Sequence, residues 1–333
     1  MLAGALGETN HDLTLIDQGD HLRALVDHGL RIRAPDGSER RVTGFSATGD
    51  AAEAGEQDVV ILAVKAHQIA EVVEVLPELL GPGTAVVTVQ NGIPWWYFAR
   101  HGGPFGGRRL ETLDPGGCIG SAIAPERIIG CVAYMAASVA EPGVIEIVEG
   151  RRFPLGELDG EETERVTDLA AAFEAGGLKA RILTDVRSEI WLKALGSLSF
   201  NPISALTGAT LERICRFPPT RDLAKRMMQE AWAICDVLGV HVRRSIEERI
   251  AGAEKVGDHK TSMLQDIESR RQLEHAALVG SIAELGEMTG VPTPYTDAVY
   301  ACLRLLEEEV TGGTVVDADP QTEGSTAPIE AGR

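Results

Sequence analysis

Apolar residues follow two rhythms along the chain. Over 58–66 (DVVILAVKA) and 84–92 (TAVVTVQNG) they are nearly continuous, the pattern of parallel strands covered on both faces. A helix is expected between these strands, over 68–80. Ahead of them, 1–10 reads as the back half of a helix, 11–16 (HDLTLI) as a buried strand and 20–29 as a helix. LRIRAP and ERRVTGFSATG predict a hairpin turned at Asp36-Gly37. Further on, 128–140 and 143–158 read as β-rich, 160–176 as a helix and 178–185 as a last strand. From 187 to about 309 the rhythm is helical only, through 219–239, 244–256, 262–289 and 295–309. Strand and helix in alternation, then helix alone, predict an α/β doubly wound parallel sheet over 1–186 followed by an all-helical domain over 187–309. Residues 310–333, rich in Gly, Thr, Pro and acids and without period, predict a disordered tail.

Composition narrows the partners. A formal charge of -19 over 333 residues argues against nucleic acid or an anionic membrane, because phosphate binding draws on clustered Lys and Arg. The apolar share of 44% is ample for buried cores. Cys118, Cys131, Cys215, Cys235 and Cys302 are scattered, odd in number and free of CxxC spacing, which fits reduced thiols in a cytoplasmic protein. No apolar run reaches the roughly 18 residues of a membrane span, and the first residues lack the order of a signal peptide. A small substrate held by local positive groups is the expected partner, and a homodimer is compatible with all of this.

Candidate chemistry concentrates in IWLKALGSLSFNPISAL, residues 190–206. At about 100° per residue, Lys193, Ser197 and Asn201 share one sector of a helix while Trp191, Leu195 and Leu198 face the other way. A lysine so placed can give a proton to an oxygen turning negative as a carbonyl is reduced, if burial lowers its pKa. The plainer alternative is a solvated lysine, with Asn201 capping a new helix that starts at Pro202. Ligands of open α/β sheets bind outside the carboxyl ends of the strands, which singles out Asp17, Lys65 and Asn91. Asp17 can meet ribose hydroxyls or form a turn; Lys65 can meet a cofactor phosphate or stand exposed; Asn91 can bind a ligand or make an Asn-Gly turn. Adjacent Trp95 and Trp96 are expected to pack. Ser262 with Gln265 has the spacing of a capping box, and Glu274 that of a helical ion pair with Arg270 or Arg271.

Five segments occur in a telling order: VKAHQ (64–68), QNGIPWWYF (90–98), IWLKALGSLSFNPISALTG (190–208), SMLQDIE (262–268) with Glu274 beyond it, and GVPTP (290–294). Over residues 1 to about 309 the chain resembles the ketopantoate reductase family, the 2-dehydropantoate 2-reductases. The resemblance implies a Rossmann domain followed by a helical domain, with the site in the cleft between. It implies NADPH-dependent reduction of 2-dehydropantoate to (R)-pantoate in pantothenate synthesis. By motif, Lys193 resembles the family's general acid and Glu274 the glutamate that contacts the substrate hydroxyl. Ser262 resembles its carboxylate-binding serine, Asn91 and Asn201 its substrate-site asparagines, and Lys65 its cofactor-side lysine.

Three departures accompany the likeness. Ser197 stands where the family often has Asn. Asp17-Gln18 stands where an Arg commonly holds the NADP 2'-phosphate, so NAD becomes an alternative cofactor and Asp17 and Gln18 candidate contacts. The family's opening strand and GxGxxG turn have no counterpart here, so the strands at 11–16 and 58–66 are expected to face a gap, with poor folding and weak cofactor binding. Three functional readings follow: a reductase of 2-dehydropantoate, a reductase of another 2-oxo acid, or a non-catalytic protein of the same fold. One spacing is in tension, because twelve residues of straight helix between Ser262 and Glu274 span about 18 Å, too far for both to hold one small acid.

Overall fold

The computed structural model describes residues 1–312. Its first half is α/β, and from Val186 every regular element among the described residues is a helix. In the first half, α1 (Leu2–Leu6) leads to β1 (Thr14–Ile16), α2 (Gly19–His28), the hairpin β2 (Leu30–Arg33) and β3 (Glu39–Val42), β4 (Ser46–Thr48) and α3 (Ala51–Ala54). Strands β5 (Gln57–Leu62), β6 (Leu80–Thr88) and β7 (Ile128–Cys131) run parallel, with the short helices α4 (Ile69–Val72) and α5 (Cys118–Ala122) between them. The long hairpin β8 (Tyr134–Glu141) and β9 (Val144–Arg152), then β10 (Leu155–Glu157) and α6 (Glu164–Ala175), complete this half.

The strands divide into three sheets, ordered β1-β4, β10-β7-β6-β5 and β3-β2-β9-β8. No ladder joins β1 to β5, and each is paired along one edge only. This corrects two readings. Ile16 is 41% exposed and Val59 36%, so 11–16 is not a buried strand and 58–66 is not covered throughout; both strands lie at a sheet edge, flanked on one side only. The 58–66 run also ends as a strand at Leu62. Residues 68–80 are not one helix: a single α turn is flanked by 3₁₀ turns, with Pro77 in the second, where proline cannot donate to an α ladder. Residues 178–185 make only isolated bridges, at Lys179 and Ile182. Strand β4, read as part of the hairpin arm, pairs with β1 instead, and a short helix at Leu211–Arg216 falls outside the apolar spans.

The helical half comprises α7 (Val186–Thr207), α8 (Leu211–Arg216), α9 (Pro218–Leu238), α10 (Ile246–Val256), α11 (Ser262–Glu268), a π turn at Ala276–Gly280 running into α12 (Ser281–Thr289), and α13 (Pro294–Thr311). Residues 310 and 311 thus belong to α13 rather than to a tail; residues 313–333 lie outside the described residues. Asp185 caps α7 by accepting from Ser188 N at 3.0 Å, and Gly208 ends it in the left-handed region at φ 70. The helix passes through Pro202, so Asn201 starts no new helix; burial of its flank against α9, α11 and α13 outweighs the one lost N–H.

The main core crosses the boundary between the halves. Trp191, Leu195 and Leu198 are wholly buried in one cluster with Trp96, Tyr97 and Phe98. Trp191 Nε1 donates to Tyr97 Oη at 2.8 Å, and Arg187 donates to the carbonyls of Tyr97, Leu158 and Ala99. Trp95 and Trp96 pack as expected, with Trp96 Nε1 on Thr88 Oγ1 at 2.9 Å. Pinning one face of α7 fixes the direction of the other.

Candidate active site

That other face carries Lys193. Its Nζ donates to Asn91 Oδ1 and, at 2.6 Å, to the carbonyl of Ala133, just past β7. Burial lowers the ammonium pKa to about 8, with Glu274 and then Cys131 pulling it back up. Desolvation therefore dominates, and an amine of this kind exchanges its proton near neutral pH.

Asn91 follows β6 in the turn Gln90-Asn91-Gly92. Gly92 lies at φ 81, and a Cβ there would sit 2.1 Å from the carbonyl oxygen of Ala277 in the π turn. Ile93 N donates to that same oxygen at 3.0 Å, so the asparagine loop is seated against the helical half. Asn91 Nδ2 donates to Glu274 Oε2 at 3.4 Å, while Glu274 Oε1 accepts from Ala66 N at 3.3 Å. Lys193, Asn91 and Glu274 form one chain of contacts across the seam.

The structure replaces the ion-pair alternative for Glu274. Helix α11 stops at Glu268, Arg270 turns the chain at φ 53, and Arg271 Nε pairs with Asp266 at 3.0 Å. Glu274, 8% exposed, points into the seam instead. The same turn removes the 18 Å tension, because no straight helix joins Ser262 to Glu274. Ser262 is not the cap: Thr261 Oγ1 accepts from Leu264 N at 3.3 Å, and Ser262 is the first helical residue. Its hydroxyl, left free of that duty, accepts from Asn201 Nδ2 at 3.4 Å.

Lys65 Nζ donates to the buried Asp266 at 2.6 Å. A cofactor phosphate would have to compete with this ion pair across the seam. Asp17 follows β1, as expected; its Oδ1 accepts from Gln18 N at 2.7 Å, and its Oδ2 lies 3.9 Å from His21 Nε2. Gln18 itself precedes α2 as its cap residue, without a side-chain bond to the helix. The nearby Arg23 is paired with Asp20.

Four residues escaped the sequence reading. Asp266 lies inside the SMLQDIE motif and was legible only as part of it. Gln90 donates to Leu62 O at 2.7 Å and Val64 O at 3.1 Å, and its Oε1 is buried without a partner. Arg249 of α10 reaches the carbonyl of Lys193 at 3.5 Å, its Nε likewise buried and unpartnered. Glu307 of α13 lies behind Glu274. Gln90 opens the QNGIPWWYF motif, but nothing in local spacing marks Arg249 or Glu307, because their burial depends on distant elements. Among the described residues no group of His, Cys, Asp and Glu could hold a metal, and no helix is long and apolar enough to cross a membrane.

Residues 1–96 match the family model described as Ketopantoate reductase PanE/ApbA, and residues 185–307 match its C-terminal counterpart. A 2-dehydropantoate 2-reductase from Mesorhizobium japonicum is 50% identical over 298 residues, 90% of this chain and 91% of its own length. A crystal structure from Ralstonia solanacearum MolK2, assigned to the ketopantoate reductases, is 39% identical with a TM-score of 0.88, covering 93% of this chain and 94% of that one. A D-mandelate dehydrogenase solved with NADH and anilino(oxo)acetate shares the fold alone: 20% identity, TM-score 0.79, over 93% of this chain and 95% of that one.

Proposed function

The chain belongs to the ketopantoate reductase family, and from that premise we propose that it reduces 2-dehydropantoate to (R)-pantoate with a nicotinamide cofactor. The observation that carries this reading is the Lys193–Asn91–Glu274 chain, which joins a proton donor of suitable pKa to a buried carboxylate across the seam. When bound, the cofactor supplies a hydride to the carbonyl carbon. Lys193 donates its proton to the oxygen that becomes an alkoxide, and the Ala133 carbonyl and Asn91 hold the ammonium in place. Glu274 accepts the substrate's hydroxyl, and Ser262 with Asn201 receives its carboxylate.

The residues present fit a nicotinamide dinucleotide at two points. Asp17 stands at the carboxyl end of β1, where ribose hydroxyls are bound in this architecture. Gln90 offers a buried, unpartnered oxygen just beyond β6. NADPH is the cofactor the family resemblance implies, but a carboxylate at Asp17, with Arg23 already paired to Asp20, favours the unphosphorylated ribose of NADH. We place the enzyme in the cytoplasm, a reading supported by five unpaired cysteines.

The test is to follow nicotinamide absorbance with 2-dehydropantoate and a panel of other 2-oxo acids, using NADH and NADPH in turn. Turnover with 2-dehydropantoate at the highest kcat/KM supports the proposal. Cofactor binding without turnover of any 2-oxo acid would sink it in favour of a non-catalytic role.

A further inference from the structure

Glu274 arrives in the seam without regular structure in front of it. Residues 269–274 form the irregular turn after α11, and helical bonding resumes only where Leu278 N donates to the Glu274 carbonyl at 3.1 Å. Its two carboxylate contacts are long, 3.3 Å to Ala66 N and 3.4 Å to Asn91 Nδ2, too weak to set its position on their own. The residues on either side of it are held tightly, and by one group. Glu307, 2% exposed on α13, accepts from Leu273 N at 2.6 Å with Oε1, while its Oε2 lies 2.8 Å from His275 Nε2.

We propose that Glu307 is a positioning residue for the substrate-hydroxyl site: by gripping residues 273 and 275 it sets the height and direction of Glu274 between them. This rests on the reading above, in which Glu274 accepts the hydroxyl of 2-dehydropantoate. Burial works against the Glu307 carboxylate, but the hydrogen bond and charge of His275 and the Leu273 N–H together hold it below the usual carboxylate range. It is therefore a fixed anion at neutral pH. The His275 ring also faces Tyr300 of α13 at 5.5 Å between centroids, which limits how far the imidazole can swing. Glu307 reaches Glu274 through its bonds to Leu273 and His275, the residues on either side of it, and its charge is also felt by His67. The long contacts of Glu274 leave both its oxygens able to accept one more hydrogen bond. A shift of a fraction of an ångström in the backbone at 274 is then enough to lose the substrate's hydroxyl.

The experiment compares two substrates that differ only in that hydroxyl: 2-dehydropantoate and 3,3-dimethyl-2-oxobutanoate. Glu307→Ala should raise KM for 2-dehydropantoate by roughly tenfold or more while leaving KM for the deoxy acid and for the cofactor within about twofold, the loss expected of one charge-assisted hydrogen bond. Glu307→Gln and His275→Phe should fall between, and they serve the same comparison should the alanine variant fold poorly. An equal rise for both substrates would make Glu307 a purely structural residue and overturn the proposal, as would full retention of the wild-type preference in all three variants. A wild-type enzyme that does not prefer the hydroxylated acid would instead sink the reading of Glu274. In that case a crystal structure of Glu307→Gln still decides: Glu274 unmoved against Asn91 and Ala66 overturns the positioning role, and Glu274 displaced upholds it.

Discussion

The seam around Lys193 and the paired edges of β1 and β5 are finished to different standards. At the seam, polar side chains from four separate segments close on one another, backed by a core in which Trp191 and Tyr97 are wholly buried. At β1 and β5 each strand meets a neighbour on one side only, and Ile16 and Val59 keep over a third of their surface exposed. The proposed substrate side is built from side chains that bond to one another, whereas the proposed cofactor side is framed mainly by strand ends. Rigid framing of the reacting groups is what converts binding into rate, so substitutions at the seam should be felt most in turnover and substrate binding.

The largest effect expected is at Lys193. Lys193→Ala should lower kcat by roughly 10² to 10⁴ with cofactor affinity unchanged, as judged by steady-state kinetics beside a cofactor titration. A variant that keeps its turnover would show that the seam's donor is another group. Glu274→Ala comes next: KM for 2-dehydropantoate should rise by roughly 10- to 150-fold, the worth of a hydrogen bond to a charged group. Ser262→Ala should do less, since its hydroxyl is exposed and shares its place with Asn201.

A pH series separates chemistry from stability at the same residue. Lys193 must be protonated to act, so kcat for reduction should be level below pH about 8 and fall about tenfold per unit above it. Stability should move the opposite way. The folded-state pKa is lowered from 10.5 to about 8, so between these values the unfolded chain binds more protons, and Lys193's contribution rises with pH across that window. A kcat that holds through pH 10, with unfolding midpoints that ignore the same window, would contradict both halves of the argument. The smallest effect belongs to the looser region: Asp17→Ser should improve kcat/KM with NADPH relative to NADH by a few-fold, by removing a repulsive charge. An unchanged ratio would mean that the 2'-phosphate never approaches this position.

The contrast also explains what could be read in the sequence. The change from alternating to purely helical rhythm is a long-range average, and it survives into the architecture. The Lys193–Ser197–Asn201 face was legible because it depends only on helical geometry, and α7 is a helix throughout. Local signals misled where tertiary packing outweighed them: Pro202 looked like a helix start, and Ser262 looked like a cap when Thr261 takes that duty one residue earlier. For Glu274 the sequence allows two readings, and the turn at Arg270 decides between them, since an ion pair at helical spacing presupposes a continuous helix. Asp266 is legible only as part of SMLQDIE, and Arg249 and Glu307 carry no pattern at all, for a charged residue is buried only when a distant element covers it.

The contacts of the seam span great lengths of chain: Lys193 to Asn91 across 102 positions, Glu274 to Asn91 across 183, Lys65 to Asp266 across 201 and Glu274 to Ala66 across 208. Helices form from near neighbours in microseconds, while pairings this remote wait for long loops to close. Catalytic competence should therefore be the last property to return on refolding, lagging well behind the recovery of helical circular dichroism. On the ribosome the proposed site cannot close until α11 and the π turn have emerged and docked back onto the segment that carries Lys65, Ala66 and Asn91.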